Sequence, residues 1–258
     1  MIPTDIKCYV EPFVGGGSVF IELLNRGFEC PMIINDINPH LINAYKCIQK
    51  DAQALVDRLF PDSNDMTTLK PLFYEVRDRF NAKSYYNEFD EAADFIFLMR
   101  TCYRGLYAEK KNGDFETAFG YKPFRIDRDN VVSLGQAFQR VSITFTSLSF
   151  SDVVIPDGAF AYLDPPYWEI SARWRGRMCS AQPFPYDAFE QWLHQLKCPF
   201  VLSNSTSYSQ RFHELFPNAE IQKLDQIDKT ISKGRKVRKE MLARFTYECI
   251  PAVFELQR

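Results

Sequence analysis

The sequence predicts an α/β fold built on a mostly parallel sheet, and three observations predict it. Short apolar runs recur along the chain, the first two are joined by a segment of helical periodicity, and two of the runs break off at a carboxylate. Runs of that length, rich in β-branched and aromatic residues, are buried strands. Strands that alternate with helices pair in parallel. In such sheets ligands bind just beyond the carboxyl ends of the strands, so the residues placed there carry the functional reading.

The chain has 258 residues, 46% of them hydrophobic and 25% charged, which suits one large domain or a core with an insertion. No apolar stretch approaches the roughly 18–20 residues of a membrane span, and residues 1–7 do not read as a signal peptide. Seven cysteines, at 8, 30, 47, 102, 179, 198 and 249, form no Cys-x-x-Cys pair, and the three histidines lie far apart. That spacing argues against a zinc site and leads us to expect no metal. The odd cysteine count points to a reducing cytoplasm. A net charge of −2 excludes a globally basic molecule, so a nucleic-acid partner would be gripped by local patches.

In order along the chain, Cys8-Tyr9-Val10-Glu11 reads as a strand running into Gly15-Gly16-Gly17, and residues 19–26 are apolar at helical spacing. Glycines let the backbone turn tightly and approach a ligand that a Cβ would keep away. No Gly-Lys-Ser/Thr follows, so this is not a phosphate-binding P-loop. A second strand, Met32-Ile33-Ile34-Asn35, ends at Asp36, 19 residues after Gly17. That is the spacing at which a strand-end carboxylate accepts ribose hydroxyls in nucleoside-binding units. Asp36 equally suits capping of the helix from Pro39 onward. Together the pieces point to a nucleoside-containing cofactor.

Residues 39–104 are helical in pattern, with Leu41, Ala44, Tyr45 and Ile48, then Leu72, Phe73, Val76 and Phe80, then Ala93, Phe95, Ile96 and Met99 as apolar faces. No strand alternates with them, so they predict an inserted helical subdomain, residues 53–131, between two parts of a catalytic domain at 1–52 and 132–258. Asn112-Gly113 predicts a two-residue hairpin turn. Arg100, Arg104, Lys110, Lys111, Lys122, Arg125 and Arg128 surround it, and a cationic two-stranded ribbon can enter a DNA groove. Acids are interspersed, so a solvated charged face accounts for the pattern equally well.

Residues 141–148 alternate as a strand and lead to Ser149-Phe150. The strand at residues 159–163 stops at Asp164-Pro165-Pro166-Tyr167, because Pro165 cannot donate to a ladder and Pro166 bars its predecessor from helical angles. Alone, those four residues are more often a plain turn than a site. Arg173, Trp174, Arg175 and Arg177 form a basic, aromatic loop beyond it. A helix at residues 186–196, strands at 199–204 and 221–227, and a last strand at 241–247 complete the pattern. Between the last two, Lys233, Arg235, Lys236, Arg238 and Lys239 make an acid-free basic run; such runs are usually just solvated, but one that follows a strand in a sheet protein also suits phosphates.

The chain resembles the Dam-type family of DNA adenine-N6 methyltransferases over most of its length, from Tyr9 to about Phe245. The resemblance rests on Glu11-Pro-Phe-Val-Gly-Gly-Gly17, Asn35-Asp36-Ile37-Asn38, Gly113-x-Phe115-x-x-x-Phe119-Gly120, Asp164-Pro-Pro-Tyr167, Leu202-Ser-Asn204 and Thr230-Ile-Ser232, in family order. It implies a Rossmann-like seven-stranded methyltransferase sheet with an inserted helical target-recognition subdomain carrying a β-hairpin, binding S-adenosylmethionine and duplex DNA. On that analogy Glu11, Pro12, Phe13, Gly15 and Gly17 hold the methionine part of the cofactor. Asp36 takes the ribose, and Ser149 and Phe150 meet the cofactor adenine. Asp164, Pro165, Pro166 and Tyr167 receive the target base, while Arg104, Lys110, Lys111, Asn112, Lys122, Arg125, Lys233 and Arg235 contact DNA.

Those residue types suit the chemistry. The N6 lone pair of adenine is conjugated into the ring, and hydrogen bonds from N6–H to the Asp164 carboxylate and Pro165 carbonyl would free it for in-line attack on a sulfonium methyl. The base must leave the duplex to be reached, and Tyr167 would stack on it. The chain departs from the family pattern in three places. Relatives carry a Gly-Gly-Lys element ahead of the first strand, which residues 1–7 do not contain; Ser149 stands where many have Asp; and Lys111-Asn-Gly-Asp-Phe-Glu-Thr-Ala118 replaces the Phe-Asn-x-Pro-Phe of GATC-specific relatives. The expected activity is a site-specific adenine-N6 methyltransferase. The competing expectation is a DNA-binding protein of methyltransferase descent with weak or no activity. Methylation of RNA is a further expectation within enzymes, while methylation of a protein glutamine amide is disfavoured, since those relatives typically carry Asn-Pro-Pro-Tyr and lack a long helical insert at this position.

Overall fold

The computed structural model describes residues 2–3, 5–168, 184–227 and 237–245. Arg173, Trp174, Arg175, Arg177, the Thr230-Ile-Ser232 motif, Lys233 and Arg235 lie outside the described residues.

Seven strands form a single sheet: β1 (Cys8–Glu11), β2 (Met32–Asn35), β3 (Ile143–Thr146), β4 (Ala159–Leu163), β5 (Phe200–Ser205), β6 (Glu220–Ile227) and β7 (Val237–Phe245). Their order is β3-β2-β1-β4-β5-β7-β6, parallel throughout except for β7, which runs antiparallel to both neighbours. The predicted seven-stranded sheet is therefore present, strand for strand. β1 is an interior strand next to the central β4, pairing Tyr9 with Met32 of β2 on one side and with Phe160 of β4 on the other. Every residue of β1 is buried, as expected where helices cover both faces of a parallel sheet.

The described helices are α1 (Ser18–Asn25), α2 (Pro39–Val56), α3 (Met66–Asn81), α4 (Glu88–Thr101), α5 (Arg128–Phe138), α6 (Tyr186–Gln195) and α7 (Ser209–Leu215). α1, α2 and α5 cover one face, where Phe20, Tyr45 and Phe138 pack on Phe145 of β3. α6 and α7 cover the other, where Phe189 and Phe212 join Leu163, Phe200 and Leu202. The helical stretch after Pro39 is interrupted: Asp51 leaves helical angles inside α2, and Asp65 and Asn87 cap new starts at α3 and α4.

Two helices escaped the sequence pattern. α5 carries Gly135, which reads as a breaker, yet a Cβ there would meet Ala52 Cβ at 2.5 Å and Ile48 O at 3.0 Å. The glycine serves the close approach of α5 to α2. α7 is only seven residues long, too short to show a period. Between α2 and α5, α3 and α4 contribute no strand to the sheet, and they share one apolar core with β1 and β2. A bidentate ion pair from Arg79 to the buried Asp94 staples α3 to α4, at 2.8 and 2.5 Å. No helix among the described residues is long and apolar enough to cross a membrane.

Candidate active site

The chain leaves β1 to build β2 and β3 on one side, then crosses back to lay β4 and β5 on the other. The crevice between the carboxyl ends of β1 and β4 is where neighbouring connections diverge, and ligands bind at such a switch point. The Gly15 loop follows β1 and the Asp164 turn follows β4, so the tertiary fold sets two motifs about 150 residues apart in sequence on either side of one crevice.

On the β1 side, Glu11 is 2% exposed and accepts a hydrogen bond from Tyr9 Oη at 2.7 Å. Burial pushes its carboxyl up to about 8, the nearby Asp164 charge adds to the rise, and the Tyr9 hydroxyl opposes it. That mutual influence places Glu11 and Asp164 in one electrostatic neighbourhood across the crevice. The loop after Glu11 is shaped by Asp36, whose Oδ2 accepts Gly15 N–H and whose Oδ1 accepts Asn38 N–H, both at 3.0 Å. Tyr45 Oη donates to Gly15 O at 3.0 Å from the other side. Burial raises the Asp36 carboxyl, and the two amides partly offset the rise.

Asp36 is not the helix cap that its position also allowed. Asn38 takes that part, accepting His40 N–H and Leu41 N–H on its side-chain oxygen. Asp36 is thereby left to face the glycine loop. Asn35, one residue earlier and buried, ties three strand ends together. It donates to Pro12 O at 2.9 Å and Leu148 O at 3.1 Å, and accepts from Thr146 Oγ1 and Leu148 N–H. Sequence reasoning quoted Asn35 within a motif without giving it this work.

Gly17 precedes α1 with a φ of +72°, while Gly15 and Gly16 have nothing within 4 Å of where a Cβ would stand. The loop thus presents bare backbone to open space. The exposed side chains of Ile37 and Leu148 follow Asp36 and precede Ser149. Phe150 is buried against Phe13 at 5.6 Å between ring centroids and against Trp192 at 5.4 Å, and Ser149 Oγ lies 3.0 Å from Ser151 Oγ. A donor set of one buried carboxyl, one strand-end carboxylate with remaining lone pairs, bare glycine backbone and apolar side chains fits a nucleoside carrying a charged tail.

On the β4 side, Asp164 is exposed, Pro165 buried, and Pro166 and Tyr167 half-buried. Tyr167 Oη lies 2.7 Å from Ser203 Oγ. Asn204, fully buried, accepts Trp168 N–H at 3.0 Å. The Tyr186 hydroxyl donates to Pro166 O and accepts from Asn204 Nδ2 at 3.2 Å. The turn is therefore stitched to the end of β5, as the parallel pairing of Leu163 with Leu202 requires.

The third part is the loop between α4 and α5. Its ribbon differs from the predicted two-residue turn. Gly113 N–H bonds Lys110 O at 2.9 Å and Lys110 N–H bonds Asp114 O at 2.8 Å, so three residues, Lys111, Asn112 and Gly113, form the loop. Gly113 takes a φ of +86°, the left-handed position that closes such loops, and this moves the turn back by one residue. The arms meet at isolated bridges, Glu109 with Phe115 and Cys102 with Phe119. Phe115 and Phe119 are buried, whereas Lys110, Lys111, Asn112, Lys122 and Arg125 are exposed. Arg104, with a φ of +58°, lays its guanidinium over the Tyr103 ring at 5.2 Å. Tyr103 and Tyr121, 48% and 65% exposed, are aromatic surface that the sequence reading passed over.

A family model for D12 class N6 adenine-specific DNA methyltransferases matches residues 1–230. The chain belongs to that family.

Among curated relatives, this D12-class chain is 37% identical over 171 residues to the Type II methyltransferase M.MjaIII of Methanocaldococcus jannaschii, covering 63% of this chain and 59% of that one. It is 28% identical over 238 residues to the Type II methyltransferase M1.LlaDCHI of Lactococcus lactis subsp. cremoris, covering 87% and 81%. It is 32% identical over 171 residues to the DNA adenine methylase of Escherichia coli strain K12, covering 64% and 58%. The chain thus spans about three fifths of the length of several relatives that it matches. Among the described residues of this D12-class chain, no group of three or more His, Cys, Asp and Glu side chains is arranged to hold a metal.

Proposed function

We propose that the chain is a site-specific DNA methyltransferase that transfers a methyl group from S-adenosylmethionine to N6 of an adenine flipped out of a short duplex site. One observation carries the reading: the Asp164-Pro-Pro-Tyr167 turn and the Gly15 loop flank the same crevice, and Glu11 and Asp164 influence each other across it.

When bound, the cofactor supplies an electrophilic methyl on a sulfonium. Glu11 and the backbone from Phe13 to Gly17 hold its methionine part, Asp36 accepts the ribose hydroxyls, and Ser149 and Phe150 border its adenine. Each Asp36 oxygen already accepts one amide and keeps a lone pair for a hydroxyl. Asp164 and the Pro165 carbonyl accept the two N6–H bonds of the target adenine, which draws the amine toward tetrahedral geometry. The Asp164 carboxylate then opposes the positive charge that grows on N6 as it attacks. Tyr167 stacks on the extruded ring and keeps N6 in line.

Residues 53–131 act as the target-recognition insert. Lys110, Lys111, Lys122 and Arg125 meet phosphates, and Arg104 and Asn112 face the groove. Tyr103 offers a flat ring to the gap that a flipped base leaves behind. Lys233 and Arg235 add further phosphate contacts. Free cysteines at 8, 30, 47, 102 and 198 suit a reducing bacterial or phage-infected cytoplasm.

The test is transfer of labelled methyl from S-adenosylmethionine to mixed-sequence duplex DNA, with GATC-free duplex alongside. Label on N6 of adenine in both establishes the enzyme with a site other than GATC or relaxed specificity, and label only with GATC fixes the site too. Duplex binding without label, in this chain and in a version extended upstream of Met1, would overturn the reading in favour of a methyltransferase-derived DNA-binding protein.

A further inference from the structure

Tyr167 follows two prolines, neither of which donates a backbone hydrogen bond, so the turn cannot orient what comes after it by itself. The missing constraint comes from β5. Ser203 and Asn204 are consecutive strand residues and point to opposite faces of the sheet. Asn204 fixes the backbone around Tyr167, accepting Trp168 N–H and, through Tyr186, securing the Pro166 carbonyl. The main chain is thereby held at both flanks of Tyr167. Ser203 Oγ, 2.7 Å from Tyr167 Oη and itself 4% exposed, anchors the far end of the Tyr167 side chain.

We propose that Ser203 is a positioning residue that holds the Tyr167 ring, through its phenolic oxygen, in the place from which it stacks on the target adenine. The inference rests on the reading of Tyr167 as the base-stacking residue. Ser203 touches neither cofactor nor target base in this assignment and acts only through Tyr167. A ring held in advance costs less ordering when the base arrives, so the benefit belongs to the transfer rate and not to cofactor affinity.

The experiment compares Ser203→Ala, Ser203→Thr, Tyr167→Phe and the double variant Ser203→Ala/Tyr167→Phe in single-turnover methyl transfer to duplex DNA. Ser203→Ala and Tyr167→Phe should each slow transfer about 10-fold with cofactor affinity unchanged, as expected for misalignment without lost binding. The double variant should be no slower than Tyr167→Phe, and Ser203→Thr should restore the rate. Multiplying effects in the double variant, a wild-type rate for Ser203→Ala, or parallel losses of rate, cofactor affinity and melting temperature would overturn it. A second readout does not need turnover: the tyrosine ring carbon resonance lost in Tyr167→Phe should move in Ser203→Ala and return in Ser203→Thr. Movement of that resonance in a chain that transfers no methyl would reject the methyltransferase reading and leave the positioning intact. Normal transfer with an unmoved resonance would reject the positioning alone.

Discussion

The carboxylate of Asp36, at the end of β2, accepts the backbone N–H of Gly15, at the end of β1, at 3.0 Å. One side chain thus sets the shape of the glycine loop and keeps lone pairs turned toward the space the loop encloses. Asp36→Ala should therefore do two things at once. Loss of two charge-assisted amide bonds should cost about 2 kcal/mol in denaturant unfolding. S-adenosylmethionine affinity by calorimetry should fall by about 100-fold under the proposed placement of the ribose on Asp36, since that partner and the loop geometry would go together. Retained affinity would remove Asp36 from the cofactor site.

Gly15 and Gly17 should respond differently to the same substitution. A Cβ at Gly17 would stand 2.5 Å from Phe20 Cε1 and 2.6 Å from Tyr45 Oη, at a φ of +72°. Gly17→Ala should therefore lower stability by about 2–3 kcal/mol. A Cβ at Gly15 meets nothing within 4 Å, at a φ of +47°, so Gly15→Ala should cost only about 1 kcal/mol. Its new methyl would enter the cofactor's space, and binding of S-adenosylmethionine should be the property lost. Equal melting temperatures for the two variants would contradict this account.

Asp164→Ala should abolish methyl transfer while leaving cofactor affinity within about 3-fold of the parent, because the proposed function assigns Asp164 to the target base. The check is labelled-methyl transfer beside equilibrium binding. Loss of both together would place Asp164 in the cofactor site instead.

Glu11 predicts a pH dependence. Its folded carboxyl is raised from 4.5 to about 8, so between these values the folded chain holds a proton that the unfolded chain releases. Stability should fall as pH rises through this window and level off above it. Glu11→Gln should flatten that slope and be the more stable protein at pH 8 and above. A cationic methionine tail beside Glu11 favours the ionised form, so cofactor binding should strengthen as pH rises toward 8 in the parent and not in Glu11→Gln. Parallel pH profiles for the two proteins, in melting and in binding, would contradict the assignment.

The exposed cations of the insert predict salt behaviour. Lys122→Ala and Arg125→Ala should each reduce the slope of log affinity against log salt for duplex DNA by about 0.9, the signature of one lost phosphate contact. Cofactor affinity should not move. Unchanged slopes would mean a solvated surface.

The two ends of β1 and β4 were legible because their chemistry is local. Glycines after Glu11 and prolines after Asp164 stop a strand whatever surrounds them, and apolar runs of four or five residues declare buried strands without tertiary help. β1, β2, β4 and β5 were readable on those terms, since burial on both faces leaves a continuous apolar run, whereas β3, with alternating burial along Ile143-Thr144-Phe145-Thr146, was legible from its period of two. The chain's own order of motifs also carried the family.

Other features were decided only in three dimensions. Asp36 and Asn38 are both good caps, and it is the approach of the Gly15 amide that assigns Asp36 to the loop and leaves Asn38 to the helix. Gly135 looks like a helix breaker until α2 comes within contact of it. The loop at Asn112 shifts by one residue because Gly113, not Asn112, takes the left-handed angle that the paired arms demand. Ser203 and Asn204 stand out in sequence only as part of the Leu202-Ser-Asn204 motif, and what they bond is decided by the parallel pairing that brings β5 alongside the Asp164 turn. Sequence alone determines where the backbone must turn and which faces must be buried, since both follow from each residue's own sterics and solvation. Which polar groups then meet is set by strand order and helix approach, because hydrogen bonds act over about 3 Å and need the partner to be there.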